Sequence, residues 1–368
     1  MAANPPTVPS LSLDSCRARQ RRLCDALIAE HLEGALITDR RHVHYFTGYW
    51  GRQIHSPSLW LSRDGFAALA LPGAANQPYA ADALSVYRSN DYCTLVDDQR
   101  IASLAALPPQ WRLCSRVGAD RPVWSSIAGS MQITDLMPAM RKLRRTKDAD
   151  EVALLTFALA ASEAAYAHAK KILTPGLDET ELWAQLHHLI AQYVGETLGE
   201  LGNDFQVGAL GSAPRRRLIS KGETAILDIG VIVRGYNGDM CRTYIVGGEP
   251  SREQERAHGR IMESLAFIEK TVEPGTRCQS LFHETQRMLD GFDGLKFAHH
   301  LGHGIGLNPH EAPRLNPQHD DTFALGDVFT CEPGLYGIPL RAGIRIEQVY
   351  HLTERGLTRL TPSPTDLI

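Results

Sequence analysis

The sequence predicts two domains, an α/β N-terminal domain followed by an α+β C-terminal domain that contains a pseudo-twofold internal repeat. Its 368 residues exceed one ordinary domain, because domains commonly span about 100–200 residues. A basic, polar stretch at 137–151 separates a half with short strand and helix signals from a half with long helices. The second half also repeats its own pattern, since a Pro-Gly pair follows each long helix and precedes another helix.

The N-terminal domain is predicted to cover residues 13–140, after a disordered lead-in at 1–12. The segment 40–51 (RRHVHYFTGYWG) is dense in aromatic and histidine residues and is predicted as a loop. Two apolar runs flank Asp64 and Gly65, a pair that is typical of a β-hairpin turn. No group of residues in this domain predicts a catalytic site.

The C-terminal domain is predicted to cover residues 141–368 and to contain two related halves. The strand segment 222–230 (GETAILDIG) recurs in pattern at 326–334 (GDVFTCEPG). This alignment superimposes Asp228 on Glu332. A pseudo-twofold axis that relates two carboxylates would bring two acidic strands to a common centre, so the repeat itself predicts where a site lies.

Composition excludes several classes of function. The net charge of −4 and the pI of about 6.4 do not resemble the basic footprint of a nucleic-acid binder. No apolar stretch is expected to approach the roughly 20 residues that span a bilayer, and the N-terminus lacks a secretory signal pattern. Seven scattered cysteines without a CxxC pair predict reduced thiols. We therefore expect a cytoplasmic protein with no membrane and no nucleic-acid partner.

The segment AILDIGVIVRGYNGDMCRTYIV predicts a β-hairpin that carries two carboxylates. Asp228 and Asp239 are 11 positions apart, and facing residues across a two-residue turn differ by an odd number. Both side chains can therefore share one face. Asp228 lies inside an apolar run, where a carboxylate is costly unless it is paired or metal-bound. This pair alone leaves a metal role and a solvated surface role equally open.

Histidines and two glutamates extend this acidic pair. Four histidines interleaved with glycine occupy FAHHLGHGIGLNPHE, namely His299, His300, His303 and His310. A phosphate-binding loop is discounted here because the P-loop Lys-Ser/Thr pair is missing. Glu332 and Glu347 follow in apolar surroundings, 15 positions apart, so a second hairpin can place them on one face.

These residues form a ligand set of four carboxylates and one imidazole: Asp228, Asp239, His303, Glu332 and Glu347. Such a set suits two divalent metal ions, for which Mn²⁺ is favoured and Co²⁺, Zn²⁺ and Fe²⁺ stay open. Five protein ligands exceed what one catalytic metal normally takes, and two metals would lie roughly 3.5–4 Å apart. The sequence therefore predicts a two-metal hydrolase.

These motifs resemble those of the pita-bread metallopeptidases, which include aminopeptidase P, prolidase, methionine aminopeptidase and the metal-free creatinase. The resemblance implies a pita-bread fold for the C-terminal domain, and the segment RRHVHYFTGY extends it to the creatinase-type N-terminal domain. It also implies that His310 and His299 act near the substrate, that Arg345 supports the metal site, that Glu332 shuttles the proton, and that the chain forms a homodimer.

Two positions depart from the family pattern. Peptidases of this family usually carry a histidine about 17 residues before the first Asp ligand, where this chain has Gly211. A run of Arg215, Arg216 and Arg217 follows, which predicts either a solvated loop or a clamp for a substrate carboxylate. Cys241 stands where the family usually has threonine, which affects a hydrogen bond around the site but removes no ligand.

Three functions follow as hypotheses. The first is a two-metal peptidase that acts on small peptides with a preference for an Xaa-Pro bond. The second is a metal-dependent hydrolase or lyase of a small non-peptide metabolite, favoured by the missing histidine and the arginine run. The third is a non-catalytic binding module, against which the complete ligand set argues.

Overall fold

The computed structural model describes residues 6–91, 94–198, 202 and 204–368. They divide into two units, Ser10–Arg144 and Arg145–Ile368, the second of which includes residues 6–9. The predicted boundary at 140/141 remains a prediction. So does the disordered lead-in, of which residues 1–5 lie outside the described residues. Within its described part, Val8 and Leu11 are buried.

The first unit is built around a six-stranded mixed sheet of order β4-β3-β2-β1-β7-β8. Its elements are α1 (Leu13–Ala29), β1 (Gly34–Ile37), α2 (Arg40–Thr47), β2 (Ser58–Ser62), β3 (Ala67–Leu71), β4 (Ala83–Val86), β5 (Asn90–Asp91), β6 (Thr94–Leu95), α3 (Gln99–Ala106), β7 (Arg116–Ala119), α4 (Ser125–Ala128), β8 (Gln132–Asp135) and α5 (Met137–Arg145). The strands β2 and β3 form the predicted hairpin, in which Gly65 has a positive φ of 96°. The α/β class predicted for this domain is confirmed.

The loop predicted at 40–51 is wrong for its first eight residues, which form helix α2. Asp39 caps the helix, because its side chain accepts a hydrogen bond from the backbone N–H of Arg41. Gly48 ends it in the left-handed conformation. Residues 42–47 are all buried, so packing of the aromatic side chains stabilises a helix that its composition does not favour.

The second unit consists of helix pairs followed by long hairpins. Its elements are α6 (Ala149–Ile172), α7 (Glu179–Val194), β9 (Thr224–Asp228), β10 (Val231–Val233), β11 (Tyr236–Gly238), β12 (Cys241–Ile245), α8 (Arg252–Thr271), α9 (Cys278–Leu289), β13 (Gly302–Gly304), β14 (Glu311–Leu315), β15 (Val328–Cys331), β16 (Gly334–Gly337), β17 (Ala342–Arg345), β18 (Gln348–Thr353) and β19 (Gly356–Arg359). The strands β14-β13-β15-β18-β19 form one sheet.

The predicted internal repeat is present in this element order. The pair α6 and α7 leads to the hairpin β9–β12, and the pair α8 and α9 leads to the hairpin β15–β18. The two copies of the strand segment begin at equivalent positions, since β9 starts at Thr224 and β15 at Val328. Asp228 ends β9, and Glu332 directly follows β15. The repeat therefore brings both carboxylates to the same place in their respective halves.

Helix α6 corrects the expectation that no apolar stretch is long enough to span a bilayer. By length and composition alone it could cross a membrane, although 56% of its most apolar 18-residue stretch is buried inside the fold. The helix packs on α7 and on strands β10 and β11. Buried core helices can be equally long and apolar, so the length and composition of α6 are weak evidence for a membrane.

Candidate metal centre

The first acidic pair lies on one face of the hairpin β9–β12. Its turn consists of Arg234 and Gly235, whose φ values of 49° and 86° are both positive, as a two-residue type I′ turn requires. One register runs through the hairpin, because Val231 pairs with Gly238 and Asp228 pairs with Cys241. Asp228 thus lies opposite Cys241, which is two positions after Asp239. Residues two apart on a strand project from the same face, so Asp228 and Asp239 share a face.

The second acidic pair lies on the hairpin β15–β18, again on one face. Cys331 pairs with Gln348 on one side, and Gly334 pairs with Arg345 on the other. This common register places Glu332 directly opposite Glu347. Each pair of carboxylates therefore follows from the odd spacing of its residues in the sequence.

His303 lies between these pairs on strand β13. Its Nδ1 lies 3.2 Å from the backbone oxygen of Gly304, so Nδ1 donates a proton and Nε2 is left as an acceptor. That Nε2 lies 3.8 Å from Oδ2 of Asp239 and 3.6 Å from Oε1 of Glu332. A Cβ on Gly302 would lie 2.0 Å from the backbone oxygen of Thr330, so glycine is needed for this strand to approach β15.

The charges of these groups show that the site is built for cations. Burial, together with the neighbouring carboxylates, raises the pKa of Asp239 and Glu347 well above their usual values, and that of Asp228 to about 6. Among the described residues, the buried Oε2 of Glu347 has no hydrogen-bond partner. Bound metal ions would remove the repulsion between these carboxylates and give the unpaired oxygen a partner. The residues therefore fit the predicted two-metal set.

Glu332 differs from the other three carboxylates. Burial would raise its pKa, but a hydrogen bond from His300 and the nearby imidazoles lower it to about 2. The Nε2 of His300 lies 2.8 Å from Oε1 of Glu332. The contact of His300 with a ligand was not predicted, although the neighbouring histidine pair in the sequence was a signal for it.

The predicted substrate-side histidines lie next to this centre. The ring of His310 lies 3.9 Å from that of His303, centroid to centroid. Nitrogen atoms of His300, His303 and His310 all lie within 4.8 Å of one another. The Nε2 of His299 lies 2.7 Å from the hydroxyl of Tyr336. The structure thus brings every predicted site residue to one region of the second unit.

Arg345 connects the centre to a carboxylate that the sequence did not predict. Its Nη2 donates to Oδ2 of Asp228 at 2.9 Å and also to the carboxylate of Asp204. Its Nε lies 3.4 Å from the thiol of Cys241, so cysteine supplies an acceptor where the family has threonine. No motif marks Asp204 in the sequence, because its neighbour Asp228 lies on a different strand.

The arginine run has structural partners rather than a free surface. Arg215 and Arg217 both contact the fully buried carboxylate of Glu179, at 2.7 and 3.3 Å. Arg217 also binds Glu223 at 2.7 Å. These contacts leave Arg216 as the exposed member of the run. Arg215 and Arg217 therefore belong neither to a solvated loop nor to a clamp for a substrate carboxylate, the two alternatives that the sequence predicted.

Two cavities lie beside the centre. One of about 930 Å³ is lined by His299, Tyr336 and Arg345, and also by the cations Lys296 and Arg341. The other, of about 1010 Å³, is lined by apolar and small residues, and Asp204 is its single ionisable group in the part of the chain described. Each cavity thus reaches a residue around the ligand set, Arg345 and His299 in the first and Asp204 in the second.

Divalent metal is expected to stabilise the protein more as the pH rises from 6.5 to about 8.5. In the metal-free fold, burial and the neighbouring carboxylates raise the pKa of Asp239 and Glu347, so the stability that their protonated forms contribute is lost as the pH rises. Deprotonation also favours metal binding. Burial lowers the pKa of His303 to about 4. Its effect on the stability of the metal-free protein has the opposite sign, but it acts only below pH 6.5.

Thermal unfolding with Mn²⁺ and with a chelator, at both pH values, measures this difference. At a metal concentration of about 100 Kd the stabilisation should reach roughly 2.7 kcal/mol. An equal melting temperature with metal and with chelator at the higher pH would contradict the metal centre.

Comparison with known proteins agrees with this geometry. The profile of the family described as "Metallopeptidase family M24" matches residues 153–354. A curated relative, the Xaa-Pro dipeptidase of Pyrococcus furiosus, is 29% identical over 235 residues, which cover 62% of this chain and 66% of the relative. The match thus spans slightly less than two thirds of that relative's length.

Solved structures with a similar fold cover almost the whole chain. The prolidase of Pyrococcus horikoshii superimposes with a TM-score of 0.78 at 20% identity, over 95% of this chain and 100% of the other. The aminopeptidase P of Escherichia coli superimposes with a TM-score of 0.77 at 19% identity, over 98% of this chain and 96% of the other. These likenesses confirm the pita-bread fold predicted for the chain.

Proposed function

Because the chain belongs to metallopeptidase family M24, we propose that it is a two-metal-dependent hydrolase that splits Xaa-Pro bonds in short peptides. One observation carries this proposal. Two hairpins and strand β13 bring together two buried carboxylates, two half-buried ones and one imidazole, of which Asp239, His303 and Glu347 have ligand atoms within 4.8 Å of one another, and the buried Oε2 of Glu347 has no other described partner. The Xaa-Pro preference is supported by the names of relatives, among them the Xaa-Pro dipeptidase of P. furiosus.

The metals would be held by Asp228, Asp239, His303, Glu332 and Glu347. When bound, two divalent cations supply Lewis-acid polarisation of a carbonyl and lower the pKa of water. Mn²⁺ is the favoured ion, with Co²⁺, Zn²⁺ and Fe²⁺ as alternatives. A cytoplasmic location and a homodimer remain predictions.

The chain's own residues would carry the proton and hold the substrate. Glu332 takes the proton that the attacking water gives up and delivers it to the leaving nitrogen of proline. The hydrogen bond from His300 keeps Oε1 of Glu332 in place for this transfer. His310 donates to the oxygen on which negative charge develops, and Arg345 holds Asp228.

The charge of one cavity supports a short peptide as the substrate. Lys296 and Arg341 line the same cavity as His299 and Arg345. Among the described residues of that lining Glu223 is the one carboxylate, and Arg217 already binds it. This surplus of positive charge fits the free carboxylate of a dipeptide or tripeptide.

A panel of substrates tests the proposal. Metal-loaded protein is given Xaa-Pro dipeptides, Xaa-Pro tripeptides, the matched Xaa-Ala dipeptides and small amides or betaine-like compounds. We expect turnover of Xaa-Pro peptides at least about 10-fold faster than of the Xaa-Ala controls, a ratio that corresponds to about 1.4 kcal/mol of transition-state binding. Turnover of small amides without cleavage of any peptide would contradict it.

The second candidate is a hydrolase or lyase of a small non-peptide metabolite. Gly211 favours it, because the histidine that peptidases of the family use for substrate binding is missing at that position. Turnover in the amide arm of the panel identifies this case. The third candidate, a binding module, requires that purified protein contains no divalent metal and that its melting temperature does not respond to Mn²⁺.

A further inference from the structure

Residues 204–208 run alongside strand β9 as an additional pairing segment. The backbone N–H of Asp228 donates to the oxygen of Asp204 at 3.0 Å, and that of Gly208 donates to Thr224 at 2.8 Å. Asp204 and Asp228 thus form a directly opposed antiparallel pair. Opposed residues of such a pair project from the same face, so the two carboxylates lie side by side.

A single guanidinium group resolves the repulsion between these carboxylates. Nη2 of Arg345 contacts Oδ2 of Asp204 and, at 2.9 Å, Oδ2 of Asp228. The backbone N–H of Arg345 is fixed in turn by the hydroxyl of Thr243 at 3.0 Å. Arg345 therefore occupies one oxygen of Asp228, and Asp204 determines where that guanidinium group lies.

Gly211 shapes the space around Asp204. A Cβ on Gly211 would lie 2.4 Å from the Asp204 carboxylate, so a side chain there would displace that carboxylate. The turn is held by a hydrogen bond of 2.9 Å from the N–H of Phe205 to the oxygen of Ser212. The Asp204 carboxylate thus fills the space into which a side chain at position 211 would project.

We propose that Asp204 is a positioning residue of the metal centre, which fixes Arg345 and through it the orientation of Asp228. Gly211 is then the residue that leaves room for Asp204, which explains why no histidine stands at this position. The inference rests on the proposed metal centre. Metal binding by the unmodified protein tests that centre independently, before any variant is compared.

The Asp204→Asn variant tests the role directly, because asparagine keeps the shape and removes the charge. Calorimetric titration of the metal-free proteins with Mn²⁺ should show unchanged stoichiometry and affinity about 10–100-fold weaker, the usual effect of a residue behind a ligand. We also expect kcat to fall while KM changes little. An affinity within twofold of the unmodified protein, or the loss of one of its metals, would overturn the proposal.

A double-mutant cycle separates this role from general strain in the loop. Gly211→Ala should weaken Mn²⁺ binding by displacing Asp204, and it should add little once Asp204→Ala is already present. Equal effects of Gly211→Ala in both backgrounds would overturn the coupling. Ser212→Ala serves as the control, because the exposed Ser212 lies next to Gly211 and its change should leave Mn²⁺ affinity unaltered.

Discussion

Replacement of Glu347 by glutamine is expected to abolish metal binding and turnover while it raises the melting temperature of the metal-free protein. The glutamate is 1% exposed and faces three other carboxylates, so without bound cations the fold must either bury its charge or take up a proton, and both cost free energy. Glutamine removes that charge and keeps the shape. Relief of a buried, unsatisfied group of this kind is worth about 1–3 kcal/mol or more. Stability and activity should therefore change in opposite directions.

Metal content, thermal unfolding and kcat of the Glu347→Gln protein measure this effect. Because loss of a residue behind a ligand costs about 10–100-fold, loss of the ligand itself should exceed 100-fold in activity or metal affinity. Glu354→Gln is the matched control, since Glu354 is exposed in the turn between β18 and β19. A variant at position 347 that keeps both metals and full turnover would remove Glu347 from the ligand set.

Replacement of Arg345 by methionine is expected to cause the largest loss of stability near the site. Methionine leaves the carboxylates of Asp204 and Asp228 opposed without a cation between them. Removal of one partner from a buried ion pair costs about 3–5 kcal/mol, because the remaining charge is not compensated. Metal affinity should fall as well, since Asp228 loses the contact that orients it.

Chemical denaturation of metal-free protein gives the free energy of unfolding for this comparison. Arg355→Met is the control, because Arg355 is exposed and has the same change of side chain. A loss below about 1 kcal/mol for Arg345→Met would mean that Arg345 does not compensate the two carboxylates.

The juxtaposition of the proposed ligands could be predicted from the sequence because its geometry is local. Each pair of carboxylates lies on one hairpin, so the parity of the residue spacing decides whether both side chains share a face. The repeat then relates Asp228 to Glu332 without knowledge of the fold. Helix α2 could have been recognised from its cap residues, Asp39 and Gly48, but the aromatic composition of the segment argued against a helix.

The remaining contacts depend on pairings between segments that no local pattern encodes. Asp204 faces Asp228 through backbone pairing across 24 positions, and no spacing rule reports such a neighbour. Glu179 binds Arg215 from the start of helix α7, where an acidic residue is already explained by the helix dipole. Both cases required the three-dimensional arrangement.

The ladders of both hairpins are interrupted where the acidic side chains stand, yet the same register continues beyond each gap. In each hairpin, strand pairs near the turn and strand pairs beyond the gap share one register. Both sets of backbone hydrogen bonds therefore determine how the acids are aligned. A slip of one residue at either turn, Arg234-Gly235 or 338–341, would therefore be opposed by the strand pairs beyond the gap, which hold each acid opposite its partner.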